Sequence, residues 1–157
     1  MADPNVLGAR GEWILSLWLT EPDPANNNQP WFRPHFLGDK WPVCDLVVEL
    51  EGTTGELFLV QAKATRSGIN GANKLRVKVK QSTVAALCGS PIPAYIVGVD
   101  EPSWTPYIAT PITPTAISSI EAKHPLRDPL VRKRLHDEVR KYWAAGTPFS
   151  GNTSAFT

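Results

Sequence analysis

Apolar residues recur along this chain with two spacings, one typical of helices and one typical of strands. From Val6 to Leu19 they recur every three or four positions, and the Asp3-Pro4 pair just before them fits a helix start. The same spacing from Asp128 to Ala145 predicts a second long helix. A short apolar stretch from Gln81 to Cys88 predicts a third, shorter helix.

Strand patterns fill most of the chain between these helices. Five segments combine β-branched, aromatic and aliphatic residues with turn residues at their ends, and they cover 31–37, 43–50, 56–63, 92–99 and 104–109. The first contains Pro34, which predicts an edge position in a sheet. The second and third are separated only by residues 51–55, a connection of hairpin length.

This order of elements predicts a mixed α/β sandwich, and 157 residues suit a single domain. We predict the domain over 1–145, with a core over about 6–110. A C-terminal helical segment is predicted over 116–145, with a weaker pattern at 116–123. The small and polar residues of 146–157 predict a flexible tail.

Composition limits the classes of protein and site. The formal net charge is +1, so a partner rich in phosphates requires a local basic patch. No run reaches the ~18 apolar residues of a membrane span, and the acidic N-terminus does not suggest a signal peptide, so we expect a cytoplasmic protein. The two cysteines lack C-x-x-C spacing and the three histidines are dispersed, which argues against a zinc site.

The hairpin contains the most informative polar residues. Alternation places Gln61 and Lys63 on one face of their strand, and Asp45 on the matching face of the strand before it. A turn centred on Thr53 pairs Val47 with Leu59, and the same register sets Asp45 opposite Gln61. We therefore expect these three polar side chains to converge at the open end of the hairpin.

Such a group of side chains fits metal-assisted chemistry. Carboxylate and amide oxygens are hard ligands of the kind that Mg²⁺ binds, with water molecules completing the octahedron. A lysine beside them can orient a water molecule or stabilise the charge that develops on a phosphate.

These residues carry a family resemblance. Asp45 followed by Gln61-Ala62-Lys63 resembles the D…(D/E/Q)-x-K signature of the PD-(D/E)XK nucleases. The string GELFLVQAKAT is similar to the Mrr-like restriction endonucleases, and a Glu-bearing first helix also resembles that superfamily. The resemblance covers roughly residues 6–110. It implies a restriction-endonuclease-like three-layer sandwich, in which helices flank a central mixed β-sheet.

The resemblance also implies a role for each site residue. Asp45 is the expected metal ligand, Gln61 takes a position more often held by an acid, and the backbone carbonyl of Ala62 is a further ligand. Lys63 is the expected catalytic lysine and Glu12 the helix-borne acid. The implied cofactor is Mg²⁺, with Mn²⁺ as a substitute. The implied substrate is DNA, with RNA and a homodimer left open, in prokaryotic defence or nucleic-acid processing.

A basic segment follows the hairpin. Its charged residues alternate with apolar ones, and with two flanking residues they make up the predicted nucleic-acid contacts: Arg66, Lys74, Arg76, Lys78, Lys80 and Gln81. One interpretation is a ridge that contacts phosphates. The other is an edge strand that lysines protect from aggregation. For Gln81, simple capping of the short helix is the alternative to a place at the site.

Several interpretations stay open from the sequence. The neutral Gln61 is also compatible with a catalytically weak or inactive nuclease fold that binds nucleic acid or regulates a partner. A domain that binds an acidic protein surface through the basic segment is a third hypothesis. Among the tryptophans, Trp13 and Trp18 are predicted in the core, while Trp31, Trp41 and Trp104 either line the site or brace loops.

Overall fold

A five-stranded mixed sheet is the centre of the computed structural model, which describes residues 3–38, 41–146 and 149–157. The helices and strands, in chain order, are α1 (Pro4–Leu19), β1 (Phe32–Phe36), β2 (Leu46–Leu50), β3 (Leu57–Thr65), β4 (Lys74–Leu75), α2 (Gln81–Cys88), β5 (Ala94–Asp100), β6 (Thr105–Ala109), β7 (Ile120–Glu121) and α3 (Pro129–Ala145). Short 3₁₀ turns cover Pro24–Asn26 and Gly151–Thr153.

The strands of the sheet lie in the order β1-β2-β3-β5-β6. Neighbouring strands are antiparallel except β3 and β5, which run parallel with β4 and α2 in the connection between them. The small strands β4 and β7 pair with each other in a separate two-stranded sheet. The predicted α/β class with a mixed sheet is therefore confirmed.

Two apolar cores lie on opposite faces of the sheet. The first joins α1 and α3 to the inward side chains of β1, β2 and β3, including Leu46, Val48 and Val60. The second joins α2 and the β4–β7 layer to the other face, with Leu75, Val77 and Val79 packed against it. Helices therefore cover both faces, as a three-layer sandwich requires.

Helix α1 packs against the first face through a glycine. Asp3 caps the helix as predicted, because its carboxylate accepts the Asn5 N–H at 2.9 Å. A Cβ on Gly11 would lie 2.6 Å from the Cβ of Ala64 on β3, so only glycine permits this close approach. This orientation leaves Trp13 79% exposed, and its predicted place in the core is wrong.

The weak helix predicted at 116–123 is also wrong. Ile117 pairs with Val79, and Ile120 pairs with Leu75 as part of β7. The i, i+3 spacing of the two isoleucines resembles a helical stripe, but Pro111 and Pro114 just before them favour extended backbone.

The C-terminal residues do not form the predicted flexible tail. Within 149–157, Phe156 is 1% exposed in the first core. The carboxylate of Glu138 on α3 accepts hydrogen bonds from the Ser154 hydroxyl and the Ala155 N–H, at 2.9 and 2.7 Å. The predicted tail also includes residues 147 and 148, and the predicted domain includes residues 1 and 2, all outside the described residues. No helix within 3–38, 41–146 or 149–157 has the length and apolar character of a membrane span.

Candidate functional site

The hairpin of β2 and β3 has the predicted register. Val47 lies opposite Leu59, and the Leu50 N–H donates to the Glu56 carbonyl at 2.9 Å, which closes the turn. The strand β2 is shorter than predicted, because it begins at Leu46. Asp45 thus comes directly before the strand, and its N–H donates to the Val60 carbonyl at 2.9 Å.

Asp45 and Gln61 are in direct contact. The Gln61 Nε2 donates to the Asp45 Oδ2 at 2.7 Å, and the Ala62 N–H donates to the same oxygen at 2.8 Å. Gln61 is only 6% exposed, while Asp45 is half-buried. Both hydrogen bonds use Oδ2 of the Asp45 carboxylate.

The surroundings of Asp45 disfavour its charged form. Burial raises the pKa of this carboxyl, and the effect is partly offset by the Ala62 N–H and by the charge of Lys63. A cation at this position would favour the ionised carboxylate.

A cleft of about 620 Å³ opens over these residues. Its lining comes from the segment before β2, from β3, from the basic segment with the start of α2, and from the residues before β7: Trp41, Pro42, Asp45, Gln61, Lys63, Lys78, Val79, Lys80, Thr83, Ala116, Ile117 and Ser118. The structure therefore brings Asp45, Gln61 and Lys63 together in one cleft. Lys63 is exposed within it, beside the half-buried acid.

Basic residues dominate the charge of this cleft. Lys63, Lys78 and Lys80 line it with Asp45 as its one acid among the described residues. A second cleft of about 410 Å³ shares Lys78 and Ser118 with the first and adds Arg76. A nearly neutral chain thus has a local basic surface, as a phosphate-rich partner would require.

The basic segment alternates in burial as its sequence suggests. Leu75, Val77 and Val79 are at most 3% exposed, while the charged residues between them face solvent. Leu75 is paired with Ile69 on one side and with Ile120 on the other, and Val79 is paired with Ile117, whereas residues 76–78 lie outside the strands. The lysines therefore do not belong to one continuous edge strand.

Three of the predicted nucleic-acid contacts lie outside both clefts. Arg66 pairs with Glu101 at 3.1 Å, and Arg10 holds the other oxygen of that carboxylate at 2.7 Å. Lys74 and Gln81 are exposed and line neither cleft. The N-cap of α2 is Lys80, so Gln81 is the first residue of the helix and not its cap.

Glu12, the expected helix-borne acid, lies on a different element from the other predicted site residues. It is half-buried on α1, which packs on the face of the sheet opposite Gln61 and Lys63, and it does not line the cleft. Gly11 faces Ala64, and the next residue is rotated by about 100° around the helix axis. Within the described ranges, no three or more His, Cys, Asp or Glu residues gather as a metal site.

The remaining donors still fit one hard cation. Mg²⁺ is commonly held by one or two carboxylates with water filling the other positions. The Asp45 carboxylate and the Gln61 side-chain amide contain oxygens of this kind, and both residues line the cleft. The Ala62 carbonyl lies 3.4 Å from Gln61 Nε2, so this oxygen is close to the same pair.

Sequence reasoning missed part of the cleft wall. Of the three tryptophans predicted either to line the site or to brace loops, Trp41 lines the cleft and Trp31 and Trp104 do not. Thr83 and the 116–118 segment gave no chemical signal, because their place depends on pairing between Val79 and Ile117, far apart in the chain. The two prolines before residue 116 are the sequence feature that indicates an extended segment there.

Neither the models of known protein families nor the curated proteins give a match to this chain.

Proposed function

We propose that this chain is a Mg²⁺-dependent nuclease of the PD-(D/E)XK type that hydrolyses phosphodiester bonds in DNA. The observation that carries the proposal is the contact between Gln61 and Asp45, 2.7 Å long, in a basic cleft that also contains Lys63. An acid, an amide and a lysine meet there in the order of the D…Q-x-K signature.

The order of elements supports the finer assignment to a restriction-endonuclease-like sandwich. The Glu-bearing helix α1 precedes the meander of β1, β2 and β3, and α2 and the buried strand β5 follow. The candidate residues come from one hairpin and from the strand that pairs with β5. These are the surroundings in which the signature was expected.

Each side chain of the site would have its own role in such a reaction. Asp45 and Gln61 would hold the metal, which when bound supplies Lewis-acid chemistry to a phosphate. The Gln61 amide and the Ala62 N–H fix the Asp45 carboxylate, so its orientation does not depend on the ligand. Lys63 would stabilise the negative charge that develops on the phosphoryl oxygens, while Lys78 and Lys80 hold neighbouring phosphates.

The test is cleavage of plasmid and oligonucleotide DNA by the purified chain with Mg²⁺ or Mn²⁺. Asp45→Asn and Lys63→Ala should each lower the cleavage rate by about a hundredfold or more. Lys133→Ala, which removes an exposed lysine on α3 outside both clefts, should leave the rate unchanged. Cleavage that survives both cleft substitutions would overturn the proposal.

A second candidate function is a nuclease fold that binds nucleic acid without hydrolysis. Two observations favour it: Gln61 is neutral, and Glu12 does not line the cleft to add a second carboxylate. Calorimetric titration separates the two functions. Binding of DNA with no heat from Mg²⁺ or Mn²⁺ would identify the binding module, whereas metal binding that Asp45→Asn abolishes would support the enzyme.

A further inference from the structure

The cleft contains a feature that the proposed nuclease function does not require. Trp41 is 59% exposed and forms part of the lining beside Asp45. An exposed indole among lysines has both parts of a single-strand binding surface, because a base can stack on the ring while the phosphates contact the cations.

We propose that the cleft binds a single-stranded segment of nucleic acid, with Trp41 stacked against an unpaired base. This inference rests on the proposed function, since it names the form of substrate that the same site takes. A base inside a duplex has both faces covered by its neighbours, so an indole can reach a base face only where the strand is unpaired or the base is turned out.

The path of the strand follows from the two clefts. Trp41 lines only the first cleft and Arg76 only the second, while Lys78 and Ser118 belong to both. A strand that starts on Trp41 would therefore pass Asp45 and Lys63, then Lys78, and reach Arg76. This path leads past the candidate metal ligands Asp45 and Gln61. A phosphodiester bond placed beside them would therefore belong to a strand that is held on both sides.

The cations along this path are available to phosphates. None of Lys63, Arg76, Lys78 or Lys80 forms a salt bridge with a carboxylate of the described residues. Arg10, Arg33 and Arg66, which lie elsewhere, are paired with glutamates. The helix α2 also begins at this cleft, and the positive end of its dipole adds to the attraction for phosphates.

The polar residues at the bottom of the cleft add a further requirement. Gln61 and Thr83 are each 6% exposed, so only a ligand that enters the cleft can approach them. A single strand is narrow and flexible enough to bring its backbone to that depth. The lysines at the margin are exposed and would meet the phosphates on either side.

The experiment measures fluorescence anisotropy with labelled 12-nucleotide DNA, RNA of the same sequence and the corresponding blunt DNA duplex, all in EDTA. Without divalent metal no strand is cut, so binding is separated from catalysis. We expect the DNA or RNA single strand to bind about tenfold or more tightly than the duplex. Equal or tighter binding of the duplex would overturn the inference.

Variants of exposed tryptophans locate the contact. Trp41→Ala should weaken single-strand binding about tenfold, and Trp41→Phe, which keeps a ring, should retain most of the affinity. Trp13→Ala is the matched control, because Trp13 is 79% exposed on α1 and lines neither cleft. Unchanged single-strand affinity in Trp41→Ala would overturn the stacking contact.

Salt dependence tests the phosphate contacts of the same complex. Lys78→Ala should lower the slope of log affinity against log salt by about one, while Lys133→Ala should not change it. If the duplex binds through Lys78 and Trp41→Ala has no effect, the single-strand inference fails and the nuclease proposal stands. If no nucleic acid binds in EDTA, the single-strand inference fails, and the cleavage assay with Mg²⁺ decides the nuclease proposal separately.

Discussion

The Gln61 amide on β3 donates to the Asp45 carboxylate over 2.7 Å, at the open end of the hairpin in which Val47 is paired with Leu59. A neutral donor at position 61 satisfies an acid that burial would otherwise leave poorly compensated. A second carboxylate in that place would bring two like charges into contact. The glutamine therefore stabilises the hairpin end when no cation is bound. It also lacks the negative charge by which a carboxylate at position 61 would attract a cation.

Gln61→Glu should reverse this balance. At pH 8 in EDTA the variant should lose about 1–3 kcal/mol of unfolding free energy, because two carboxylates would meet in a half-buried place. That corresponds to a fall of roughly 2–4 °C in Tm for each kcal/mol. With Mg²⁺ the added charge should tighten metal binding on the order of tenfold. Thermal melts and calorimetric titration measure the two effects.

The control for Gln61→Glu is Gln29→Glu, which adds the same charge at an exposed position outside the cleft. Mg²⁺ should change the Tm of this variant by no more than it changes the Tm of the wild type. If Gln61→Glu in EDTA melted at the wild-type temperature, the contact between residues 45 and 61 would not have the energetic role assigned to it.

The raised pKa of Asp45 predicts a pH dependence of folding. The folded chain holds this proton more tightly than the unfolded chain, whose aspartate titrates near 3.8. The contribution of Asp45 to stability is therefore greatest below pH 3.8 and falls as pH rises from there through the folded pKa. Asp45→Asn keeps an oxygen that accepts the Gln61 and Ala62 hydrogen bonds but has no proton to lose.

Asp45→Asn should accordingly be more stable than wild type at pH 7 without metal, and equal to it at pH 3. Denaturant unfolding in EDTA across this range measures the difference between the two chains. A difference that stays constant from pH 3 to pH 7 would show that ionisation of Asp45 costs no stability. Added Mg²⁺ should narrow the gap at pH 7 by stabilising the wild type alone.

The hairpin could be predicted from the sequence because its determinants are local. A five-residue turn and the alternation of Leu46, Val48 and Leu50 with Asp45, Val47 and Glu49 set both the register and the buried face. The pairing of Val79 with Ile117 joins segments separated by a helix and two strands of the main sheet, and no local pattern encodes it. The sequence therefore predicts the hairpin residues of the cleft, but not the contribution of the 116–118 segment.

The face of α1 also escaped prediction. Apolar residues surround much of this helix, and Leu15 and Leu19 share a helical face with Glu12, so the sequence does not single out one packing face. In the structure Ile14, Leu15 and Leu19 are buried. The orientation is fixed by the approach of Gly11 to Ala64, which needs the tertiary structure to be seen. In this orientation Glu12 is half-buried and Trp13 is exposed.

Two glycines of α1 should respond oppositely to alanine. Gly8→Ala should stabilise the chain by about 0.5–1 kcal/mol, because the new Cβ meets nothing within 4 Å and helix propensity improves. Gly11→Ala should destabilise it by about 1–3 kcal/mol, since the Cβ would lie 2.6 Å from that of Ala64. Denaturant unfolding of the two variants compares them. Stabilisation by both would mean that α1 does not pack closely on β3.

The C-terminal segment makes the last prediction, because Phe156 lies in the first core beside Tyr95, with 5.9 Å between ring centroids. Phe156→Ala should cost about 3–5 kcal/mol, as a fully buried aromatic ring would be replaced by a cavity. Phe36→Ala is the control, since that ring is 47% exposed and its loss should cost well under half as much. Equal unfolding free energies for the two variants would support the flexible tail that the sequence predicts. A clearly lower unfolding free energy for Phe156→Ala would instead show that residues 149–157 belong to the folded domain, where Glu138 binds them to α3.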